Sequence, residues 1–204
     1  MLPLLLAPRA GQRPLRRVAD LGCGTGIVAE LLARQGCAVI AIDRAESRLA
    51  LARQRLAPYP QAECRSGDAA DPPLAPGEVD AIVSRNLLWL LPRPDQALRR
   101  WRGLVAPGGR VAAIEASHRH ERSWIATLQR RLGAAGRHGG GPLAAAADAG
   151  PALACWRQAG LEAARALDLS WVTAVKLHAA GAPLAALLNR SRYYAVLGEA
   201  PAGG

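Results

Sequence analysis

Three glycines in one short segment are spaced as in loops that bind anionic groups. Gly22, Gly24 and Gly26 follow an apolar run and precede a stretch with helical periodicity. Without side chains, the backbone can turn tightly there and approach a ligand closely. A helix that begins after such a loop presents unpaired N–H groups and the positive end of its dipole. The spacing therefore predicts a cradle for a carboxylate or a phosphate.

One aspartate stands where it would complete a nucleotide site. Asp43 follows the second predicted strand and lies 17 residues beyond the third glycine. A carboxylate at the end of a second strand suits hydrogen bonds from ribose hydroxyls. Glycine spacing alone is weak evidence for a nucleotide site. A glycine loop between a strand and a helix, with an acid after the next strand, is much stronger evidence. A nicotinamide dehydrogenase fits less well, because G-x-G-x-x-G requires glycine where Ile27 stands.

The elements that must position these residues alternate along the chain. Apolar runs bounded by turn residues predict strands over residues 17–21, 38–42, 61–65, 79–84 and 110–115. Apolar residues at helical spacing predict helices over residues 27–34, 45–56 and 95–105, with Asp95 as the N-cap of the third. Further helices are predicted over residues 124–132, 143–158 and 177–188, and strands within 161–172 and over 193–197. Such alternation predicts a mostly parallel sheet covered on both faces.

Five sequence blocks resemble, in order, class I S-adenosylmethionine-dependent methyltransferases of the small-molecule type related to the ubiquinone-biosynthesis methyltransferases. The first block reads VADLGCGTG and the last reads LVAPGGRV; the five cover residues 18–26, 41–52, 67–69, 79–89 and 104–111. The resemblance implies an α/β Rossmann-like fold whose seven-stranded sheet has the order 3-2-1-4-5-7-6, with the last strand antiparallel. It also implies S-adenosyl-L-methionine as cofactor and direct methyl transfer to an O, N or C nucleophile of a small molecule.

The same resemblance assigns a cofactor site. The residues it implies are Asp20, Gly22, Cys23, Gly24, Gly26, Asp43, Arg44, Asp68, Ala69, Ser84 and Arg85. Asp20 and the glycine loop would hold the methionine portion, and Asp43 would take the ribose hydroxyls. Asp68 would accept a hydrogen bond from the adenine amino group, while Ser84 and Arg85 would border the site of methyl transfer.

A proton acceptor is optional, because methyl transfer from a sulfonium depends mainly on alignment of the acceptor and exclusion of water. Glu115, His118 and His120 lie at or after the end of the fifth predicted strand, where α/β sheets bind ligands. His118 and His120 are the predicted catalytic residues, since a neutral imidazole can take a proton from a hydroxyl or amine. The alternative is that both are solvated loop residues. No metal site is predicted, because the four cysteines show no CxxC spacing.

The length of 204 residues predicts a single domain, with a leader over residues 1–17 and an insert over residues 116–142 that could cover the substrate. Members of the resembling family commonly carry helices before the first strand that close over the cofactor. The leader is short and broken by prolines and glycine. A non-catalytic cofactor-binding relative is therefore one alternative function.

The net charge of +10 leads to the other alternative function, an RNA methyltransferase. The excess lies in residues 1–19, 44–57 and 116–140, and all but one of the 26 basic residues are arginine. An RNA methyltransferase would use such patches to contact phosphates. An aromatic content of 4% and Ser-Arg-Asn-Leu, rather than Asn-Pro-Pro-Tyr, after the fourth strand favour a small molecule.

Cysteine use and hydropathy suggest a compartment. The apolar start lacks a basic signal-peptide segment, and no apolar stretch approaches the roughly 20 residues that span a bilayer. We therefore expect a reduced, cytoplasmic protein without a membrane segment. A homodimer is left open.

Overall fold

The computed structural model describes residues 15–117, 143, 149–169 and 192–202. The strands in these ranges are β1 (Arg17–Leu21), β2 (Ala38–Asp43), β3 (Ala62–Ser66), β4 (Val79–Arg85), β5 (Val105–Ser117), β6 (Glu162–Asp168) and β7 (Arg192–Glu199). The helices are α1 (Ile27–Arg34), α2 (Glu46–Leu56), α3 (Pro94–Leu104) and α4 (Gly150–Gln158), with a 3-10 turn at Leu88–Leu90.

The described strands form one seven-stranded sheet. Its order is β3-β2-β1-β4-β5-β7-β6. Strands β1 to β5 pair in parallel, whereas β7 is antiparallel to both β5 and β6. The predicted strand order is confirmed, including the antiparallel last strand. Because neighbouring strands β1, β2 and β4 run in the same direction, their carboxyl ends lie at one edge of the sheet.

Each central strand contributes to two apolar cores, since successive side chains point to opposite faces. On one face Leu21 belongs to a core with Trp101 of α3 and Trp156 of α4. On the other face Val18 belongs to a core with Leu49 of α2 and residues of α1. A strand covered on both faces needs apolar residues at consecutive positions, which explains the continuous apolar runs in the sequence.

Helix α1 begins directly after the glycine loop. Gly26 is its N-cap residue, with φ +78° and no side-chain cap. The Glu30 N–H donates to the Gly26 carbonyl at 2.8 Å, which closes the first turn. The start of α1 therefore lacks a capping side chain, as in helices whose N-terminus binds an anion.

Two predicted boundaries of the third helix are wrong. Asp95 is not the N-cap, because Pro94 already occupies the first turn and Arg93 precedes it without a side-chain cap; Asp95 pairs instead with Arg99. Proline suits this first position because its missing N–H would have no partner there. Val105 is not helical, since it pairs with Val79 and opens β5.

Strand β5 is longer than the predicted 110–115. It continues through the predicted turn at residues 107–109, where the register with β4 shifts and Gly108 has φ +71°. Of the predicted helix over 143–158, the described helix covers Gly150–Gln158. The predicted helices at 124–132 and 177–188 and residues 118–142 of the insert lie outside the described residues. None of the helices described is both long and apolar enough to cross a membrane.

The burial of Leu98 on α3 can be tested by mutation. Leu98 is fully buried, whereas Leu51 on α2 is 50% exposed. Leu98→Ala should lower the free energy of unfolding by about 2–5 kcal/mol, because it leaves a cavity. Leu51→Ala is the matched control, also in a helix, and should change it by less than about 0.5 kcal/mol. Urea unfolding followed by circular dichroism measures both; equal effects would contradict the described burial.

Candidate cofactor-binding site

The predicted site residues converge on the carboxyl edge of the central strands. Leu21, which ends β1, lies opposite Ile42 of β2 and Ser84 of β4. The residues that follow these positions in the chain are the glycine loop, Asp43 and Arg85. Crevices at this edge are where open α/β sheets bind their ligands.

Asp43 connects three segments of this edge. Its side chain is buried, and Oδ2 accepts the Gly24 N–H at 2.8 Å while Oδ1 accepts the Ala45 N–H at 2.9 Å. Its backbone carbonyl accepts the Gly67 N–H, beyond β3, at 3.2 Å. Each carboxylate oxygen can accept more than one hydrogen bond. Asp43 can therefore hold the loop and still accept bonds from a pair of ligand hydroxyls.

The glycine loop adopts a backbone that other residues rarely take. Gly22, Gly24 and Gly26 have φ of +65°, +56° and +78°. A Cβ added to Gly22 would lie 2.9 Å from Cδ1 of Leu87, and one added to Gly26 would lie 3.1 Å from Cβ of Ala52. A Cβ on Gly24 would meet nothing within 4 Å. The loop is thus packed on the protein side at its two ends and open at its centre, where a ligand can approach the backbone.

Cys23 contributes volume rather than chemistry to the loop. Its backbone N–H donates to the Ile42 carbonyl at 3.0 Å, and its side chain packs in the core shared with α1 and α2. Burial, followed by the charge of Asp20, raises the pKa of the thiol above its usual value. A thiol that resists ionisation is a poor nucleophile.

Asp20 is a buried acid with an unused oxygen. It is 1% exposed, and Oδ2 has no hydrogen-bond partner among the described residues. Burial raises the pKa of Asp20 to about 7, although the Ala29 N–H and the charge of Arg85 both lower it. A carboxylate that is desolvated and incompletely paired favours a nearby positive charge.

The exit of β4 adds two more buried oxygens. Oγ of Ser84 and Oδ1 of Asn86 have no hydrogen-bond partner within the described part of the chain. Asn86 has φ +53°, and its N–H donates to the Ile114 carbonyl at 2.8 Å. Asn86 is not among the residues predicted from the sequence, although asparagine is one of the few residues that tolerate this backbone conformation. Arg85 between them is exposed.

Glu115 on β5 holds the turn that follows β4. Its Oε1 accepts the N–H groups of Leu87 and Leu88 at 3.2 and 3.0 Å. Burial raises the pKa of Glu115 to about 7, although the N–H groups of Leu88, Leu87 and Trp89 lower it. Oε2 is buried without a partner among the described residues. The predicted catalytic residues, His118 and His120, lie outside the described residues.

The residues predicted for adenine lie beside Asp43 but are less enclosed. Asp68 is exposed and accepts the Ala70 N–H at 2.8 Å, which shapes the loop after β3. Ala69 is buried, and its carbonyl accepts the indole N–H of Trp101 at 2.7 Å. Arg44 is exposed and makes no ion pair with a described residue.

The buried oxygens without partners share one location. In the described ranges every such side-chain oxygen lies at this edge: Asp20 Oδ2, Ser84 Oγ, Asn86 Oδ1 and Glu115 Oε2. A buried polar atom without a partner costs about 1–3 kcal/mol. Their concentration at one edge is typical of a site where a ligand supplies the missing bonds. No three His, Cys, Asp or Glu side chains in those ranges are grouped so that they could hold a metal ion.

Known proteins match the first half of the chain in sequence. Residues 19–113 match the model of a methyltransferase domain family. A 2-phytyl-1,4-naphtoquinone methyltransferase of Thermosynechococcus vestitus is 44% identical over 103 residues, which are 48% of this chain and 45% of that protein. A ubiquinone biosynthesis O-methyltransferase of Pseudomonas aeruginosa is 33% identical over 105 residues, 47% of this chain and 42% of the relative. The match therefore spans less than half the length of either relative.

A solved structure shares the fold over nearly the whole chain. It is phosphoethanolamine N-methyltransferase 2 of Haemonchus contortus in complex with S-adenosyl-L-methionine. Its TM-score is 0.72 at 15% identity, and the alignment covers 98% of this chain and 51% of the other. Residues 19–113 thus resemble a methyltransferase domain, and the described fold is like that of the phosphoethanolamine N-methyltransferase.

Proposed function

We propose that this protein binds S-adenosyl-L-methionine at the carboxyl edge of β1, β2 and β4 and catalyses transfer of its methyl group to an O, N or C nucleophile of a small molecule. The observation that carries the proposal is the buried Asp43 carboxylate, bonded to the Gly24 N–H within the matched methyltransferase domain. The bond holds this acid beside an open stretch of backbone at Gly24, which supports a ribose contact by Asp43 and a contact between the loop and the methionine portion.

The donor set fits the parts of this cofactor. The incompletely paired Asp20 suits its ammonium group, and the start of α1 suits its carboxylate. Asp43, next to Arg44, suits the ribose hydroxyls, and Asp68 beside Ala69 suits the adenine amino group. The remaining proposed contacts are the loop residues Gly22, Cys23, Gly24 and Gly26 and, at the methyl-transfer site, Ser84 and Arg85.

The cofactor, when bound, supplies a methyl group on a positively charged sulfur. The acceptor's lone pair forms the new bond to carbon as the carbon–sulfur bond breaks, and any proton on the acceptor passes to a base or to water. The task left to the protein is to align the acceptor and to exclude water. Ser84, Asn86 and Glu115 each bring a buried oxygen without a partner among the described residues to the exit of β4, where these oxygens could bind the acceptor. His118 and His120 follow β5 in the chain and are proposed to take the proton where one is released.

A small molecule is favoured over RNA as the acceptor. In the basic segment 44–57, Arg53 pairs with Glu46 and Arg55 pairs with Glu30, which leaves Arg44 and Arg48 without an acidic partner among the described residues. Two of the four arginines of this patch are therefore paired with acids of the protein itself. The two relatives described above are named as quinone methyltransferases, which agrees with a small-molecule acceptor.

The remaining proposals concern organisation and location. We infer one domain over residues 1–204, with a leader over 1–17 and an insert over 116–142 as the candidate cover of the substrate. A reducing, cytoplasmic setting agrees with the free thiols of all four cysteines. The oligomeric state, including a homodimer, is open to measurement.

Substitution of Asp43 tests the ribose contact. Asp43→Ala should weaken binding of S-adenosylhomocysteine by about 10–100-fold, because hydrogen bonds to a carboxylate contribute about 1.5–3 kcal/mol. Isothermal titration calorimetry measures the affinity. Asp71→Ala is the matched control, since the Asp71 side chain is 77% exposed and pairs with Arg100, away from the glycine loop. A folded Asp43→Ala protein, verified by circular dichroism, with wild-type affinity would refute the assignment.

The raised pKa of Asp20 predicts a pH dependence of binding. Only the carboxylate attracts the ammonium group, and with a pKa of about 7 it is protonated below neutrality. The dissociation constant for S-adenosylhomocysteine should therefore rise by about 10-fold from pH 8 to pH 6. Asp20→Asn should bind more weakly and lose this pH dependence. Glu115→Gln should keep it; a flat Glu115→Gln profile would assign the titration to Glu115 instead.

Methyl transfer itself is tested with tritiated cofactor. The labelled methyl group should enter the low-mass fraction of a cell extract that has been separated by size, and none should enter bulk RNA. Salt-sensitive binding to bulk tRNA together with label in RNA would favour the RNA methyltransferase. Binding of S-adenosylhomocysteine without methyl transfer to any fraction would favour the non-catalytic relative.

A further inference from the structure

Arg55 on α2 contacts the glycine loop on the side of the loop that faces this helix. Its Nε donates to the Thr25 carbonyl at 2.9 Å, and its Nη1 donates to Oε2 of Glu30 at 2.7 Å. Thr25 belongs to the loop and Glu30 to the first turn of α1. A planar guanidinium can make two such bonds at once because its donors diverge in a fixed fork.

The acceptor of this bond is the carbonyl of a residue that lies between two glycines of the loop. Thr25 stands between Gly24 and Gly26, which both have positive φ. The Ala29 N–H, four residues further on, lowers the pKa of the Asp20 carboxylate. The turn at the start of α1 therefore interacts with an acid on β1 as well as with a guanidinium on α2.

The helix that carries Arg55 also limits the space behind the loop. A Cβ on Gly26 would lie 3.1 Å from Cβ and 3.2 Å from Cα of Ala52, one turn before Arg55. The opposite situation holds at Gly24, where an added Cβ meets nothing within 4 Å. Helix α2 thus supports the closed side of the loop and leaves the other side open.

Other side chains hold the guanidinium in place. Glu30 also accepts a bond from Nη2 of Arg34 at 2.6 Å, and Nε of Arg34 donates to the Tyr59 hydroxyl at 3.0 Å. These contacts link α1, α2 and the turn after α2 into one network. Its charges lie at the surface, with the Arg55 side chain 39% exposed, so solvent screens the ion pairs.

We propose that Arg55 is a positioning residue for the proposed cofactor site, and that it keeps the backbone of the glycine loop in its ligand-ready conformation through the Thr25 carbonyl. The inference rests on the proposed function for its effect on cofactor binding, but not for its effect on the loop. A loop ordered before binding loses less conformational freedom when the ligand arrives. Removal of the guanidinium should therefore both loosen the loop and weaken binding.

Hydrogen–deuterium exchange tests the effect on the loop without any ligand. Arg55→Ala should accelerate amide exchange by about 3–10-fold in peptides that cover Gly22 to Glu30. Arg53→Ala, two residues away on the same helix and paired with Glu46, is the matched control and should leave these peptides unchanged. Faster exchange throughout α2 and the sheet, or exchange equal to that of Arg53→Ala, would overturn the proposal.

Calorimetry with S-adenosylhomocysteine tests the effect on binding. Arg55→Ala should raise the dissociation constant about 5–10-fold, while Arg53→Ala should stay within 2-fold of the wild type. Arg55→Lys should recover part of the affinity, because an ammonium can donate to the Thr25 carbonyl but lacks the fork that also reaches Glu30. Absence of binding by the wild type would refute the proposed function, and the exchange data would still decide the role of Arg55. Unchanged affinity in a folded Arg55→Ala protein would overturn the role in binding.

Discussion

The proposed cofactor site depends on one buried carboxylate. Asp43 ends β2, and its oxygens accept N–H groups from the glycine loop and from the residue before α2, while its carbonyl accepts the Gly67 N–H beyond β3. Hydrogen bonds to a carboxylate are roughly twice as strong as those between neutral groups. A carboxylate at this depth without them would be costly to bury. The acid and the loop therefore stabilise each other, and the loop has one preferred position relative to the sheet.

Near Asp43 the protein buries polar atoms, whereas its two cores consist of apolar side chains. The cores on the two faces of the sheet are apolar, whereas Asp20, Ser84, Asn86 and Glu115 each keep a buried oxygen without a partner among the described residues. Both acids have a pKa raised to about 7, first of all by burial. Buried polar atoms that lack hydrogen bonds and cluster at one edge are typical of a functional site, where a bound ligand compensates the free-energy cost of burying them.

The family match covers only part of the sheet and part of the proposed site. Residues 19–113 contain the glycine loop, Asp43, Asp68 and the exit of β4, which together make up the proposed cofactor half of the site. Strands β6 and β7 complete the sheet beyond this range and pair antiparallel to each other. The oxygens proposed to bind the acceptor lie on both sides of this boundary, because Ser84 and Asn86 are within the match and Glu115 is beyond it.

The sequence by itself determined the features that depend on near neighbours. Glycine spacing identified the loop, apolar runs identified the strands, and family resemblance supplied the strand order that periodicity could not. The tertiary structure decided the contacts between distant residues: Gly24 with Asp43, Arg55 with Thr25, and Leu88 with Glu115, separated by 19, 30 and 27 positions. It also decided that Val105 is a strand residue, because pairing with Val79 outweighs local helical periodicity. Backbone geometry and apolar patterning are local properties, whereas a hydrogen bond across the sheet exists only after the chain has brought both partners together.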